Sequence, residues 1–431
     1  MSSRPVFAVA PSAARLTTSL RDIGYDLPSA VADLVDNSVA AGADHVVIRF
    51  EGAGSPRVLI ADNGHGMTPD LVHEALRFGS RRTYSQGELG RYGLGLKTAS
   101  LSQARKLTLV SKTDDVLVPT VRQLSLDSVE HHDNWVIGEP GDSPAIDEAV
   151  DLLGHGLRTV IVWEDLDRVI PDSMTEGWVR RRMSASGQKV ANHLAMVFHK
   201  FLDGSAGRKV TMQVDGVIVS PWDPFARHER KTLQLPTQTF EVNWGGHSGH
   251  VRLDRWVLPT RQTFSSPEAF ESAAGPHKWN RQQGIYIYRA DRLVQGGGWA
   301  GLRAIDEHTK IARCALSFDT DLDSAFNINV AKMRVTLPSA LKTMLQRPVQ
   351  EMCNRAEAVY RQANLHSEAA TAPRRTAAGT VDAQAGLALF AAASKANQLG
   401  PLRSIARSLM IEAPGLAEAL GLDQLSESTS A

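Results

Sequence analysis

An α+β fold, with helices laid on one sheet, is predicted by two features of this sequence. Short β-branched runs and amphipathic helical stretches follow one another without the strict strand–helix–strand alternation of a doubly wound fold. Turn residues, chiefly Gly, Pro, Asp and Asn, bound most of those runs. The composition is that of an ordinary globular chain: 431 residues, 42% hydrophobic and 22% charged, long enough for two or three domains. With 47 basic and 47 acidic side chains the formal charge is zero, which excludes a polyelectrolyte arm and leaves room only for a local basic stripe.

Residues 29–41 (SAVADLVDNSVAA) place Ala30, Leu34, Val35 and Ser38 on one helical stripe, with Asp33, Asp36 and Asn37 off it. HVVIRF and RVLIAD, separated by a Gly-Ser-Pro turn, read as strands. Thr68–Phe78 reads as a helix, because Thr68 can cap it, Pro69 suits its first position and Asp70 complements its dipole. Gly79–Tyr92, rich in Gly, Ser and Arg, reads as a loop, after which GLGLKTASLSQA opens another helix. KLTLVSK, VLVPTVRQL and RTVIVWEDL have strand character, and together these elements make a first domain of residues 1–170.

A second α/β domain is expected over 171–340. It opens with the amphipathic stretch VRRRMSASGQKVANHLAMVFHKFL and continues in the hairpin KVTMQVDGVIVS, which turns at Asp215-Gly216. FEVNWGG, HVRLDRWVL, GIYIYRADRLV and FNINVAKMRV supply further strands. A helix over 341–366 is expected to start or kink near Pro348, followed by a linker over 367–384 and a small helical or partly disordered tail over 385–431. The two cysteines, Cys314 and Cys353, suit a reducing compartment as inert core thiols. No signal peptide or membrane-length apolar run is found, so the sequence reads as a cytoplasmic protein with no membrane partner.

Three constellations carry chemistry. Asp33 and Asn37 stand one helical turn apart, so an acid able to orient or deprotonate a water shares a face with a hard oxygen ligand suited to Mg²⁺. Alone, the pair also fits two solvated residues on a helix. Asp62-Asn63-Gly64-His65-Gly66-Met67 ends a strand, where a carboxylate can accept from an exocyclic amine and two glycines admit a flat ring; a plain strand-to-helix turn is the other reading. Gly90, Gly93 and Gly95, then Leu96-Lys97-Thr98, open a helix with the free amides, cation and hydroxyl of a polyphosphate cradle. Leu96 between Gly95 and Lys97 rules out a Walker A loop, and the glycine spacing is not that of a dinucleotide fingerprint.

In order and spacing these segments resemble the GHKL superfamily, the Bergerat-fold ATPases that include gyrase, heat-shock chaperones, histidine kinases, MutL and the MORC proteins. ADLVDNSVAAGA is similar to the family's N box, IADNGHGMT to its DxGxG box, and FGSRRTYSQGELGRYGLGLKTAS to its ATP lid and following helix, most of all in its MORC-type form. The resemblance implies an α/β sandwich of helices on a mixed sheet, followed by a transducer-like domain and a helical tail. It implies that Asn37 ligates Mg²⁺, Asp62 reads the adenine amine, Gly64, Gly66 and Met67 line the base pocket, and Gly90, Tyr92, Gly93, Leu94, Gly95, Leu96, Lys97 and Thr98 hold the phosphates. Thr159, in GHGLRTVIVWEDL, takes the place of the threonine after the family's last glycine box. Lys332, in FNINVAKMRVTLP, matches the lysine delivered to the γ-phosphate.

Asp33 occupies the position of the general base, which in the family is usually Glu. The side chain is one methylene short, and a misplacement of about 1 Å can cost on the order of 10²-fold in rate. The resemblance therefore implies Mg-ATP binding first and slow hydrolysis second, with ATP closing a homodimer as a clamp and DNA as a partner by analogy. The alternative is a nucleotide-gated binding module without turnover. His131, His132, His247 and His250 lack further ligands at metal-site spacing, and Arg180–Arg182 with Arg77, Arg81 and Arg82 read as solvated or phosphate-touching cations.

Overall fold

The computed structural model describes residues 11–22, 24–79, 95–245, 247–276, 278–327, 335–371 and 377–422. By contacts the chain divides into residues 1–360 and 361–431.

The first part begins with helices α1 (Ala13–Arg21) and α2 (Leu27–Ala40), strands β1 (His45–Glu51) and β2 (Arg57–Asp62), and helices α3 (Pro69–Leu76) and α4 (Gly95–Leu101). Then come β3 (Lys106–Ser111), β4 (Thr120–Ser125), α5 (Leu126–His132), α6 (Pro144–Gly154), β5 (Thr159–Glu164), α7 (Glu176–Val197), α8 (His199–Leu202), β6 (Thr211–Val214) and β7 (Val217–Ile218). The helix starts follow local chemistry. Asp26 accepts from the Ser29 amide to cap α2, and Thr68, Ser143 and Thr175 do the same for α3, α6 and α7.

The seven strands form one sheet in the order β4-β3-β5-β2-β1-β6-β7, antiparallel except where β1 meets β6. The hairpin β6–β7 thus extends the first sheet, and its turn is left-handed at Asp215 (φ 49°) and Gly216 (φ 79°), as a tight hairpin requires. Leu34 and Val35 of α2, Ala99 and Leu101 of α4, and Met183, Val190 and Leu194 of α7 join one large core on this sheet. A smaller core around Leu59, Val110, Ala149, Leu153, Val160 and Val162 packs α6 on the other side. The sheet is therefore covered on both faces, as an α/β sandwich of helices on a mixed sheet allows; α6 was not anticipated.

A second, five-stranded sheet follows, built from β8 (Leu233–Trp244), β9 (His247–Val257), β10 (Gly284–Arg289), β11 (Arg292–Gln295) and β12 (Ala312–Phe318) in the order β11-β10-β12-β9-β8. Short helices α9 (Pro267–Ala273) and α10 (Lys278–Gln282) lie between β9 and β10, and α11 (Ser339–Thr371) packs Leu341, Leu345, Val349 and Met352 into this sheet's core. Pro348 lies inside α11 rather than at its start. The expected strand around Asn327–Val335 falls largely outside the described residues. Residues 361–431 carry α12 (Ala377–Lys395), α13 (Leu399–Glu412) and α14 (Pro414–Ala419), so helix occupies part of the stretch read as a linker. Among the described residues no helix is long and apolar enough to cross a membrane.

The two sheets are joined by polar contacts around the β10–β11 turn, some of them fully buried. Arg292 Nε lies 3.2 Å from Asp36 of α2, with both side chains almost fully buried. Lys200 Nζ reaches Asp291 at 2.8 Å, and the His199 ring and Tyr288 hydroxyl are 2.8 Å apart. Burial and the Arg292 charge push the nearby His193 imidazole down to about 4, so it packs as a neutral group. Arg289 and Asp323 form a second buried pair, through two bonds of 2.6 and 2.7 Å.

Removing one partner from such a pair strands a buried charge, so Asp323→Ala is expected to cost about 3–5 kcal/mol, with Arg289→Met/Asp323→Leu recovering most of the loss. Urea unfolding of the two variants beside wild type checks this.

Candidate nucleotide site

Register brings the polar ends of three strands together. Asp62 of β2 stands opposite Thr159 of β5, and Thr159 opposite Ser111 of β3. The Ser111 and Thr159 hydroxyls are 2.9 Å apart, and Ser111 Oγ accepts from the Met67 amide at 2.9 Å. Asp62 is 6% exposed, and both of its oxygens are engaged: Oδ2 by the Ser38 hydroxyl at 2.8 Å, Oδ1 by the Gly64 amide at 2.9 Å. Burial raises its pKa, and the two donors oppose that rise. A desolvated, pre-oriented carboxylate of this kind suits recognition of an amine edge.

Ser38 comes from α2, which ties that helix to the strand ends. Next to it on α2, Asn37 is exposed, and one turn before Asn37 stands Asp33, 2% exposed. The Tyr25 hydroxyl donates to Asp33 Oδ2 at 3.2 Å. A β-carbon built on Gly95 would stand 2.5 Å from that same oxygen, so α4 begins directly against the Asp33 carboxylate, which would have to turn aside for a larger residue. Asp33, Asn37, Asp62, Thr159 and Gly95 are thus gathered around α2.

The two glycines of the DxGxG box are explained by the protein itself. Gly66 has φ +70°, and a β-carbon there would lie 2.0 Å from the Lys112 carbonyl; at Gly64 it would meet Ala41 at 2.8 Å. Close packing of this loop on α2 and β3 therefore requires both glycines before any ring is considered. Met67 and Leu96 are half-buried against the large core.

Lys97 is buried in the first turn of α4. Its ammonium is 2.9 Å from the Ala75 carbonyl near the end of α3, and burial pushes its pKa down to about 8. Thr98 is buried, and its hydroxyl lies 3.4 Å from the Gly95 carbonyl. Gly90, Tyr92, Gly93, Leu94 and Lys332 lie outside the described residues.

Tyr25, Ser38 and Ser111 were not singled out from the sequence as site residues. Ser38 left a signal, being a hydroxyl on an otherwise apolar stripe; Tyr25 and Ser111 left none that separates them from core residues. Outside this site, Arg180 pairs with Glu176 and Arg77 with Glu74, each at 2.7 Å. Among the described residues no group of three or more His, Cys, Asp or Glu could hold a metal ion.

The lowered pKa of Lys97 gives a stability prediction. The folded chain releases this proton near pH 8 and the unfolded chain near the ordinary value of 10.5, so between those values the unfolded state binds more protons and stability rises with pH. Lys97→Met abolishes that contribution. Urea unfolding from pH 7 to 10.5 should show the wild-type-minus-variant difference moving in favour of wild type by up to about 3 kcal/mol.

The sequence profile described as "Histidine kinase-, DNA gyrase B-, and HSP90-like ATPase" matches residues 25–155. The chain is similar to the DNA mismatch repair protein MutL of Herminiimonas arsenicoxydans, 38% identical over 94 residues that span 20% of this chain and 15% of that protein. It is similar to the ATPase morc-1 of Caenorhabditis elegans, 37% identical over 90 residues, or 21% of this chain and 10% of that protein. These relatives are therefore matched over only a small part of their own length. Among solved structures, the N-terminal domain of a DNA repair protein superposes with a TM-score of 0.46 and 17% identity, covering 80% of this chain and 98% of that one. Residues 25–155, which hold the Asp33 helix and the Asp62 strand end, are a domain of the GHKL ATPase family.

Proposed function

We propose that this protein is a Mg-ATP-dependent ATPase that hydrolyses ATP slowly and uses the nucleotide to close a homodimer as a clamp, with DNA as its partner by analogy to MutL and MORC relatives. The observation that carries the reading is the position of α2. It bears Asp33 and Asn37 one turn apart and, through Ser38, holds the Asp62 carboxylate at the strand ends.

In this reading Asp62 accepts from the adenine amine, with the Thr159 and Ser111 hydroxyls beside it and Gly64, Gly66 and Met67 along the base. Gly95 and Thr98 at the start of α4, with the Lys97 ammonium, face the phosphates. Gly90, Tyr92, Gly93, Leu94 and Leu96 complete that cradle, and Lys332 meets the γ-phosphate. The Asn37 side-chain oxygen, exposed and of the hard type Mg²⁺ prefers, fits a cation that keeps most of its waters. Mg²⁺ when bound neutralises phosphate charge. Asp33 orients a water and takes its proton as the water oxygen bonds to the γ-phosphorus, while the bond to the β,γ-bridging oxygen breaks and its electron pair leaves with ADP.

The reading is tested by Mg-ATP turnover and equilibrium ATP binding of wild type, Asp33→Ala and Lys332→Ala. Slow wild-type turnover is expected, lost by on the order of 10²-fold in Asp33→Ala with ATP still bound, and lowered in Lys332→Ala. ATP bound by wild type without turnover would instead make the chain a nucleotide-gated binding module, with the short acid at position 33 as the disabling change.

A further inference from the structure

We infer that the loops over residues 203–210 and 221–232 form a face that grips the backbone of double-stranded DNA, with Lys209, Arg230 and Lys231 on its phosphates. The inference rests on the reading of DNA as partner given above and supplies the surface for it.

On a chain whose formal charge is zero, a polyanion needs a place where the cations face outward and the acids do not. These two loops, which follow α8 and β7, provide one. Arg227 joins them: its guanidinium reaches Asp203 of the first loop at 2.9 Å and Asp223 of the second at 3.0 Å. Both acids are thereby engaged within the protein. The third acid, Glu229, is 5% exposed and turned inward, accepting from the Ser265 amide and hydroxyl at 2.9 and 2.6 Å. Lys209, Arg230 and Lys231 are exposed, and among the described residues they form no ion pair.

The second loop is a fixed platform. Asp223 accepts from the Phe225 and Arg227 amides at 3.1 and 2.8 Å, the Glu229 amide donates to the Ala226 carbonyl, and the Thr232 amide to the Glu229 carbonyl. Phe225 is buried and stacks on Trp256 with ring centroids 4.2 Å apart, which anchors the loop in the second core. Cations carried on ordered backbone lose less freedom on binding than those of a mobile tail. No exposed Phe, Tyr or Trp stands in either loop, so nothing there stacks on unpaired bases, and the contacts are those that position a duplex without reading its sequence. The arginine run of α7 offers less, since Arg180 pairs with Glu176 and Arg182 Nε donates to the Val169 carbonyl.

The test is binding of a fluorescently labelled DNA duplex by the full chain, followed by anisotropy from about 50 to 200 mM salt. Wild type is compared with Lys209→Gln, Arg230→Gln/Lys231→Gln and, on α7, Arg181→Gln; glutamine removes the charge and keeps most of the side chain, so all are expected to melt near wild type. The slope of log affinity against log salt is expected to fall in magnitude by about 1 in Lys209→Gln and about 2 in the double variant, which binds about tenfold more weakly or worse at low salt, while Arg181→Gln keeps the wild-type slope. A wild-type slope in the double variant, or an equal fall in Arg181→Gln, would overturn the surface and leave DNA as partner. A wild type that binds no duplex removes the partner, and the surface with it. Polyglutamate that displaces the labelled duplex as well as unlabelled DNA does would make this a face for acidic proteins and contradict the inference.

Discussion

The register of three antiparallel strand ends is the constraint from which the site follows. Asp62, Thr159 and Ser111 stand side by side only because β2, β5 and β3 pair as they do, and a slip of one residue would turn each of them to the other face of the sheet. Burying the Asp62 carboxylate is tolerable because both oxygens are satisfied, one by a loop amide and one by a hydroxyl from α2. That second bond ties a helix to a strand end, and with it fixes where the neighbouring acid and amide of α2 must lie.

Helix α2 answers to several neighbours at once. Ser38 serves the first sheet, Asp33 meets Tyr25 and the start of α4, and Asp36 pairs with Arg292 of the second sheet. Nearly every residue from Ser29 to Val39 is buried, so the helix cannot shift along its axis without breaking buried polar contacts in both directions. Movement of the second sheet relative to the first would pull on the helix that carries Asp33 and Asn37. The Asp36–Arg292 pair is the direct connection between them.

Much of this was legible in the sequence. The helical stripe over residues 29–41, the strand HVVIRF, the Thr68-Pro69 helix start and the Asp215-Gly216 hairpin are local signals whose physics needs no tertiary context. What stayed hidden depends on long-range contacts. Strand β12 contains Arg313 and Cys314 in a wholly buried run, and the arginine is admitted there because the carbonyls of Pro224 and Ala273 accept from it. Helix α6 carried a Ser-Pro start that went unread, and what it covers is decided by the far side of the sheet. Within the site, Asp33, Asp62 and Gly95 were visible as motif residues, whereas Lys97 turned toward Ala75 because burial draws its ammonium to the nearest unsatisfied carbonyl. The glycines of the DxGxG box proved to be demanded by Ala41 and Lys112, contacts that spacing alone does not reveal.

The claim at the centre of this account is that the buried Asp62 carboxylate reads the exocyclic amine of adenine. Equilibrium binding of ATP and of inosine triphosphate, which carries a carbonyl where adenine has its amine, tests it most directly on the wild-type protein. The account predicts that ATP binds and that the inosine nucleotide binds about tenfold or more weakly, the loss of a hydrogen bond to a buried charged group. Equal affinity for the two would contradict it.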